Sequence, residues 1–184
     1  SKKFVPHFHI PLQSGTDFIL RRMKRRYDTA LYLSKIEKIN NLMPDCCIGV
    51  DVIVGFPGEG EEDFITTQSF LHNLDISYLH VFTFSERLNT EAANLDNQVP
   101  QEEKAYRSKI MHKLSDEKRY TFQNKFLTQI RPVLFERSLD GINQGYTDNY
   151  IRVHVEADMN YDNRLLKVTL NKNHGPYMNG RVTD

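Results

Sequence analysis

His7 and His9, one residue apart, Asp51 inside an apolar run, and His80 are the groups in this sequence best suited to chemistry. Each lies in a segment that reads as a β-strand. The segment from Phe4 to Leu12 alternates, with Phe8, Ile10 and Leu12 on one face and His7, His9 and Gln13 on the other. Cys47-Ile-Gly-Val-Asp-Val-Ile-Val54 is broken only by Asp51, which shares a face with Ile53 and Gly55 while Val50, Val52 and Val54 face the other way. Tyr78 to Phe84 separates Leu79 and Val81 from Tyr78, His80 and Phe82. Burying a carboxylate such as Asp51 without a purpose is costly. A single histidine in such a strand is more often a hydrogen-bonded core residue. Polar groups on one face of all three strands point instead to a face that holds a ligand, because a packed barrel core prefers branched aliphatics. His7 and His9 offer two metal ligands from one strand, but a third ligand and an open position must come from elsewhere. No metal is assigned.

Other chemistries find less support. Gly55-Phe-Pro-Gly-Glu-Gly60 is a glycine turn before a helix, but it lacks the Lys and Ser/Thr of a phosphate loop, and Glu61-Glu62-Asp63 repels phosphate. No Ser/His/Asp arrangement accompanies a nucleophile turn. The only cysteines, Cys46 and Cys47, are adjacent, and two ligands cannot hold an iron-sulfur cluster. The basic run Arg21-Arg-Met-Lys-Arg-Arg26 follows the Gln13-Ser14-Gly15 turn at the rim, where a carboxylate or phosphate can enter.

Helices must hold these strands. Thr16 or Asp17 caps a short one, and Asp28 caps a second with Tyr32, Ile36, Ile39 and Met43 at helical spacing. A third runs from about Glu61 to Asn73, burying Phe64, Phe70, Leu71 and Leu74. The β-α-β-α-β order predicts an α/β fold with a parallel sheet and right-handed crossovers. A long helix from about Gln101 to Phe126 presents Tyr106, Ile110, Leu114, Phe122 and Phe126. Beyond it, runs at 133–135, 150–155 and 165–170, joined by Gly, Asn and Asp turns, predict a small appended β-barrel. That tail mixes Tyr146, Asn149, Tyr150, Arg152, His154, Arg164 and Lys167, a set suited to single-stranded RNA. The domains are expected at 1–130 and 131–184. Across 184 residues, 24 Lys and Arg balance 24 Asp and Glu, so no global field announces a nucleic acid. No apolar run approaches the ~18 residues of a membrane span, and the reading is cytoplasmic.

Five motifs in order extend these observations: His-Phe-His-Ile-Pro-Leu-Gln-Ser-Gly (7–15), Met-Lys-Arg-Arg-Tyr (23–27), Asp-Val-Ile-Val-Gly-Phe-Pro-Gly-Glu (51–59), Phe-Ser-Glu-Arg-x-Asn-Thr-x-Ala-Ala (84–93) and Gly-Tyr-Thr-x-Asn-Tyr-Ile-Arg-Val (145–153). Together they resemble the carboxyl-terminal half of radical S-adenosylmethionine (SAM) tRNA methylthiotransferases. The last two look most like the branch acting on threonylcarbamoyladenosine at position 37. The resemblance implies the last three strands of a partial (β/α)6 radical SAM barrel of TIM type, then a small all-β TRAM barrel. It implies insertion of sulfur and a methyl group at C2 of an N6-modified adenosine 37, with S-adenosylmethionine and two 4Fe-4S clusters in the full-length protein and the tRNA anticodon loop as partner. Gln13 and Ser14 would approach the cofactor's ribose or methionine part and Arg25 its carboxylate. Ile53 and Gly55 would lie against adenine, Phe82 would add a contact, and Asp51 joins the same face. Tyr146, Asn149, Arg152 and Lys167 would meet RNA. Gly60 stands where relatives often have Thr, and Asn89-Thr90 replaces a common Gly-Thr.

The opening Ser1-Lys2-Lys3, without Met, reads as a cut from a longer protein. The family's amino-terminal domain and Cys-x-x-x-Cys-x-x-Cys loop are expected upstream, so the piece alone should be inactive. Its first strand, 4–12, should expose an edge that self-associates. The rival reading is a non-catalytic RNA-binding module on an α/β scaffold; a further one is a hydrolase of ordinary eight-stranded barrel type.

Overall fold

A computed structural model describes residues 4–86 and 95–183. Of the loop 85–93, only Ser85 and Glu86 fall within these residues, so Asn89 and Thr90 lie outside them. The element order is β1 (His7–His9), α1 (Asp17–Arg22), α2 (Thr29–Leu42), β2 (Cys47–Val54), α3 (Glu61–Asn73), β3 (Tyr78–Thr83), α4 (Gln101–Asn124), β4 (Ile130–Leu139), β5 (Ile142–Thr147), β6 (Arg152–Glu156), β7 (Leu165–Asn173) and β8 (Met178–Val182). Two compact units emerge, one from residues 9–44 and 48–115, the other from 4–8, 45–47 and 116–183.

The first unit is built on a three-stranded parallel sheet of order β1-β2-β3. Local chemistry sets its helices. Thr16 Oγ1 accepts the N–H of Ile19 and Asp28 Oδ1 that of Leu31, satisfying donors left over at the starts of α1 and α2. The Asp63 carboxylate accepts the Gly60 N–H at the start of α3. Val50, Val52 and Val54 are 0–1% exposed, covered along with Ile19, Leu20, Ile36 and Leu71. β3 is tied to α4 by Ser115, whose hydroxyl accepts the Leu79 N–H and donates to the Leu79 carbonyl, both at 2.9 Å.

α4 keeps part of the expected face, with Leu114 and Phe122 buried, as is Phe126 just beyond its end. Tyr106 is instead 60% exposed, and Lys104, Arg107, Met111, Ser115 and Gln123 are buried as well. The apolar period misleads at 106 because the first turns of this helix bury an ion pair, with Arg107 as its cation, ahead of Met111 and Leu114.

In the second unit β4 to β8 close a barrel of order β4-β5-β6-β8-β7, antiparallel except where β6 and β8 run parallel. Alternate residues fill it: Val133, Phe135, Val153, Val155, Val168, Leu170 and Met178 are at most 3% exposed. Closing the barrel takes two strands beyond the three expected. Strand β5, Ile-Asn-Gln-Gly-Tyr-Thr, brings Gly145 so near the Leu134 carbonyl that a side chain would collide with the backbone.

Candidate functional site

The valine face of the sheet lies under the helices, and the other face carries the polar set. Register puts Asp51 opposite His80 and Ile53 opposite Phe82. β1 lies along the other side of β2, where Ile10 N–H donates to the Gly49 carbonyl and Leu12 N–H to that of Asp51. His9 Nε2 therefore meets Asp51 Oδ1 at 2.5 Å, with the two side chains 47% and 15% exposed. The His9 and His80 rings sit 4.9 Å apart, and Tyr78 packs edge-on to His80 at 5.0 Å. Phe82 is 51% exposed. His9, Asp51, His80 and Phe82 thus share a face that is not sealed in a packed interior.

His7 does not join them. Its ring stacks on Tyr150 at 4.1 Å, nearly parallel, although strand alternation gives it the same face as His9. The His7–His9 pair weighed from the sequence does not form a cluster; the ligand-type atoms that come together are those of His9, Asp51 and His80.

Next to this face lies an open cleft of about 280 Å³ lined by Arg22, Arg25, Ile53, Phe56 and Phe84, among others. Arg25 and Ile53, 28 positions apart, meet there because the chain leaving α1 turns through Lys24 at positive φ, and Arg25 N–H donates to the Leu20 carbonyl. Gln13 is buried in a left-handed turn (φ 77°); its N–H donates to the Asp51 carbonyl and its own carbonyl accepts from Ile53 N–H. Ser14 is 1% exposed, with Oγ 3.4 Å from Thr67 Oγ1 and accepting the Thr16 N–H, so its hydroxyl is engaged toward α3. Gly55 (φ 75°) opens the turn after β2, and a side chain there would strike Lys104. Its N–H donates to Glu59 Oε1.

Glu59 and Arg107 escaped the sequence reading. Their side chains are 2% and 5% exposed and pair at 2.7 Å. Burial pushes the Glu59 carboxyl upward against the opposing pull of the Gly55 N–H and Arg107. Glu59 in the Pro-Gly-Glu turn was the available signal, but Arg107 lies 48 residues away.

Cys46 and Cys47 are both buried, and burial pushes the Cys46 thiol up to about 11. The thiolate is the metal-binding form, so this pair is a poor ligand set for a cluster.

In the barrel, Tyr146 stacks on Tyr150 at 4.8 Å, continuing the contact with His7 into a ladder of three rings. Tyr150 is 52% exposed and held at φ 65°. Asn149 is 0% exposed: its Oδ1 accepts the Thr147 hydroxyl and its Nδ2 donates to the Asp45 carbonyl. Exposed Arg152 donates to Gln144 Oε1, and Lys167 is exposed on β7.

The Radical SAM superfamily model matches residues 2–71. The chain is 33% identical, over 98% of its length, to the threonylcarbamoyladenosine tRNA methylthiotransferase MtaB of Bacillus subtilis, covering 41% of that protein. It is 36% identical over 91% to the tRNA-2-methylthio-N(6)-dimethylallyladenosine synthase of Endomicrobium trichonymphae, covering 40%. The MtaB of Aquifex aeolicus is 39% identical over 85% of the chain, with 37% of that protein covered. The chain is a homologue of radical SAM tRNA methylthiotransferases. It spans about two fifths of the length of these curated relatives. No described helix is long and apolar enough to cross a membrane.

Proposed function

We propose that this chain is the cofactor-binding and RNA-binding part of a cytoplasmic radical SAM enzyme that inserts sulfur and a methyl group at C2 of an N6-modified adenosine 37 of tRNA. In this reading residues 1–130 belong to a (β/α)6 barrel and 131–184 to a TRAM-type domain. The sheet face left open by the helices, with the cleft joining Arg25 to Ile53, supports it most. That cleft, about 280 Å³, lies near the lower end for small-molecule sites.

S-adenosylmethionine fits its lining. Arg25 suits the amino-acid carboxylate, and Ile53 with Phe56 and Phe84 offers apolar surface to adenine. Phe82 stands opposite Ile53 in the sheet, Asp51 lies two residues before Ile53 on the same strand, and Gly55 keeps the turn free of a side chain. Gln13 holds β1 against Asp51, and Ser14 acts by fixing that turn on α3. When bound, the cofactor would supply the methyl group and the radical chemistry for which the superfamily is named. The cluster ligands are proposed to lie outside these 184 residues, leaving the chain alone inactive. Tyr146, Arg152 and Lys167, with Asn149 bracing the Tyr150 turn, would take the anticodon loop. The threonylcarbamoyl branch is favoured by the wording of the last two motifs.

Calorimetry with S-adenosylmethionine on the full-length protein tests the site. Arg25→Ala and Gln13→Ala should each weaken binding, with melting curves checking the fold of the buried Gln13 variant. Unchanged affinity in both removes the proposed site and leaves the reading of an RNA-binding module on an α/β scaffold.

A further inference from the structure

We propose that His9, Asp51 and His80 form a binding site for a borderline divalent cation such as Zn²⁺, Fe²⁺ or Co²⁺. Three adjacent strands contribute one ligand each, and the candidate ligand atoms all lie within 4.8 Å of one another. Tetrahedral ligands about 2.1 Å from a zinc ion stand about 3.4 Å apart, so side-chain rotation suffices to close the set without moving a strand. The parallel register fixes Asp51 against His80, and the hydrogen bonds from Ile10 and Leu12 hold β1 in place beside them.

Ligand type selects the ion. Two imidazoles and one carboxylate suit zinc, iron or cobalt, whereas calcium and magnesium prefer all-oxygen shells. Three protein ligands with an exposed side leave a position for water or substrate, the pattern of a reactive site rather than a closed structural one. The side chain of His9 is half exposed, so the cation has an entry path. His9 Nε2 and Asp51 Oδ1 already face each other at 2.5 Å, and a cation bound between them would replace that contact.

The site shares Asp51 with the cofactor reading but does not rest on it. Untagged chain is titrated with Co²⁺ alone, without S-adenosylmethionine, following visible absorption. One saturable ion per chain is expected, with affinity reduced more than about tenfold by His80→Ala and by Asp51→Asn and unchanged by His7→Ala. Melting curves accompany each variant, and His9→Ala provides an independent test should either fail to fold. Absence of saturable binding, or binding untouched by loss of His80 and Asp51, overturns the proposal. S-adenosylmethionine affinity of Arg25→Ala is a separate measurement, so either result stands without the other.

Discussion

Arg107 Nη1 donates both to the Glu59 carboxylate at 2.7 Å and to the Glu59 backbone carbonyl at 3.0 Å. The same carboxylate oxygen accepts the Gly55 N–H, and Arg107 Nε reaches Glu103 at 2.8 Å. One guanidinium therefore fastens α4 to the turn that leaves β2, the turn bearing Ile53 and Gly55. Removing it strands a buried carboxylate. Arg107→Ala should cost roughly 3–5 kcal/mol, because breaking one side of a buried pair leaves an uncompensated charge. Urea denaturation measures this; a loss below about 1 kcal/mol, the range of exposed pairs, would show the pair to be solvated.

The three-ring ladder of Tyr146, Tyr150 and His7 offers aromatic faces on which an RNA base can stack. Tyr150→Ala removes its middle ring, and stacking of a base on such a side chain contributes about 1–3 kcal/mol. Binding of the cognate tRNA anticodon stem-loop, followed by fluorescence anisotropy, should weaken about tenfold or more with little change in its salt dependence. Arg152→Ala and Lys167→Ala should instead lower the salt slope by about one each if they meet phosphate. Full affinity in Tyr150→Ala would remove the ladder from the RNA surface.

Much of the first unit is legible in the sequence. Acidic residues after Gly60 and the spacing of Phe64 and Leu71 placed α3 over Glu61–Asn73, and the Val50/Val52/Val54 alternation told the covered face of β2 from the open one. Local rules decide both. Long-range partners were less visible. Arg25 meets Ile53 only through the turn after α1, and Arg107 was hidden by a helix whose apolar rhythm pointed to Tyr106. Strands β5 and β8 were missed for a different reason. Ile-Asn-Gln-Gly-Tyr-Thr and Met-Asn-Gly-Arg-Val carry Gly and Asn where a strand usually shows β-branched residues, and barrel closure overrides that weak propensity. Asn143 is fully buried there, its side chain bonded to the Met159 carbonyl and the Tyr161 N–H.

β1 forms one edge of its sheet, and Phe4 and Val5 just before it are 64% and 58% exposed. Apolar side chains beside the outermost strand of a sheet invite strand addition. We propose self-association through this edge, so light scattering should give a molar mass rising with concentration above the 21.6 kDa of one chain. Val5→Lys should reduce it, since an edge charge opposes pairing. A constant monomer mass at the highest concentration reached would count against the proposal.

His154 stacks on Tyr177 at 3.9 Å, and its Nε2 is buried without a hydrogen-bond partner among the described residues. Burial, then the nearby charges of Arg152 and His174, holds its pKa below the usual histidine value. The unfolded chain consequently takes up this proton first as pH falls. Stability from neutral His154 is complete above the unfolded value, about 6.5, and drains away as pH drops through the lower folded value. The melting temperature should therefore fall as pH drops below about 6.5, and fall less in His154→Gln, which cannot take up the proton. Because the other histidines are unchanged in that variant, the difference between the two curves isolates His154. Parallel curves would mean that this imidazole is as easily protonated in the folded barrel as in the unfolded chain.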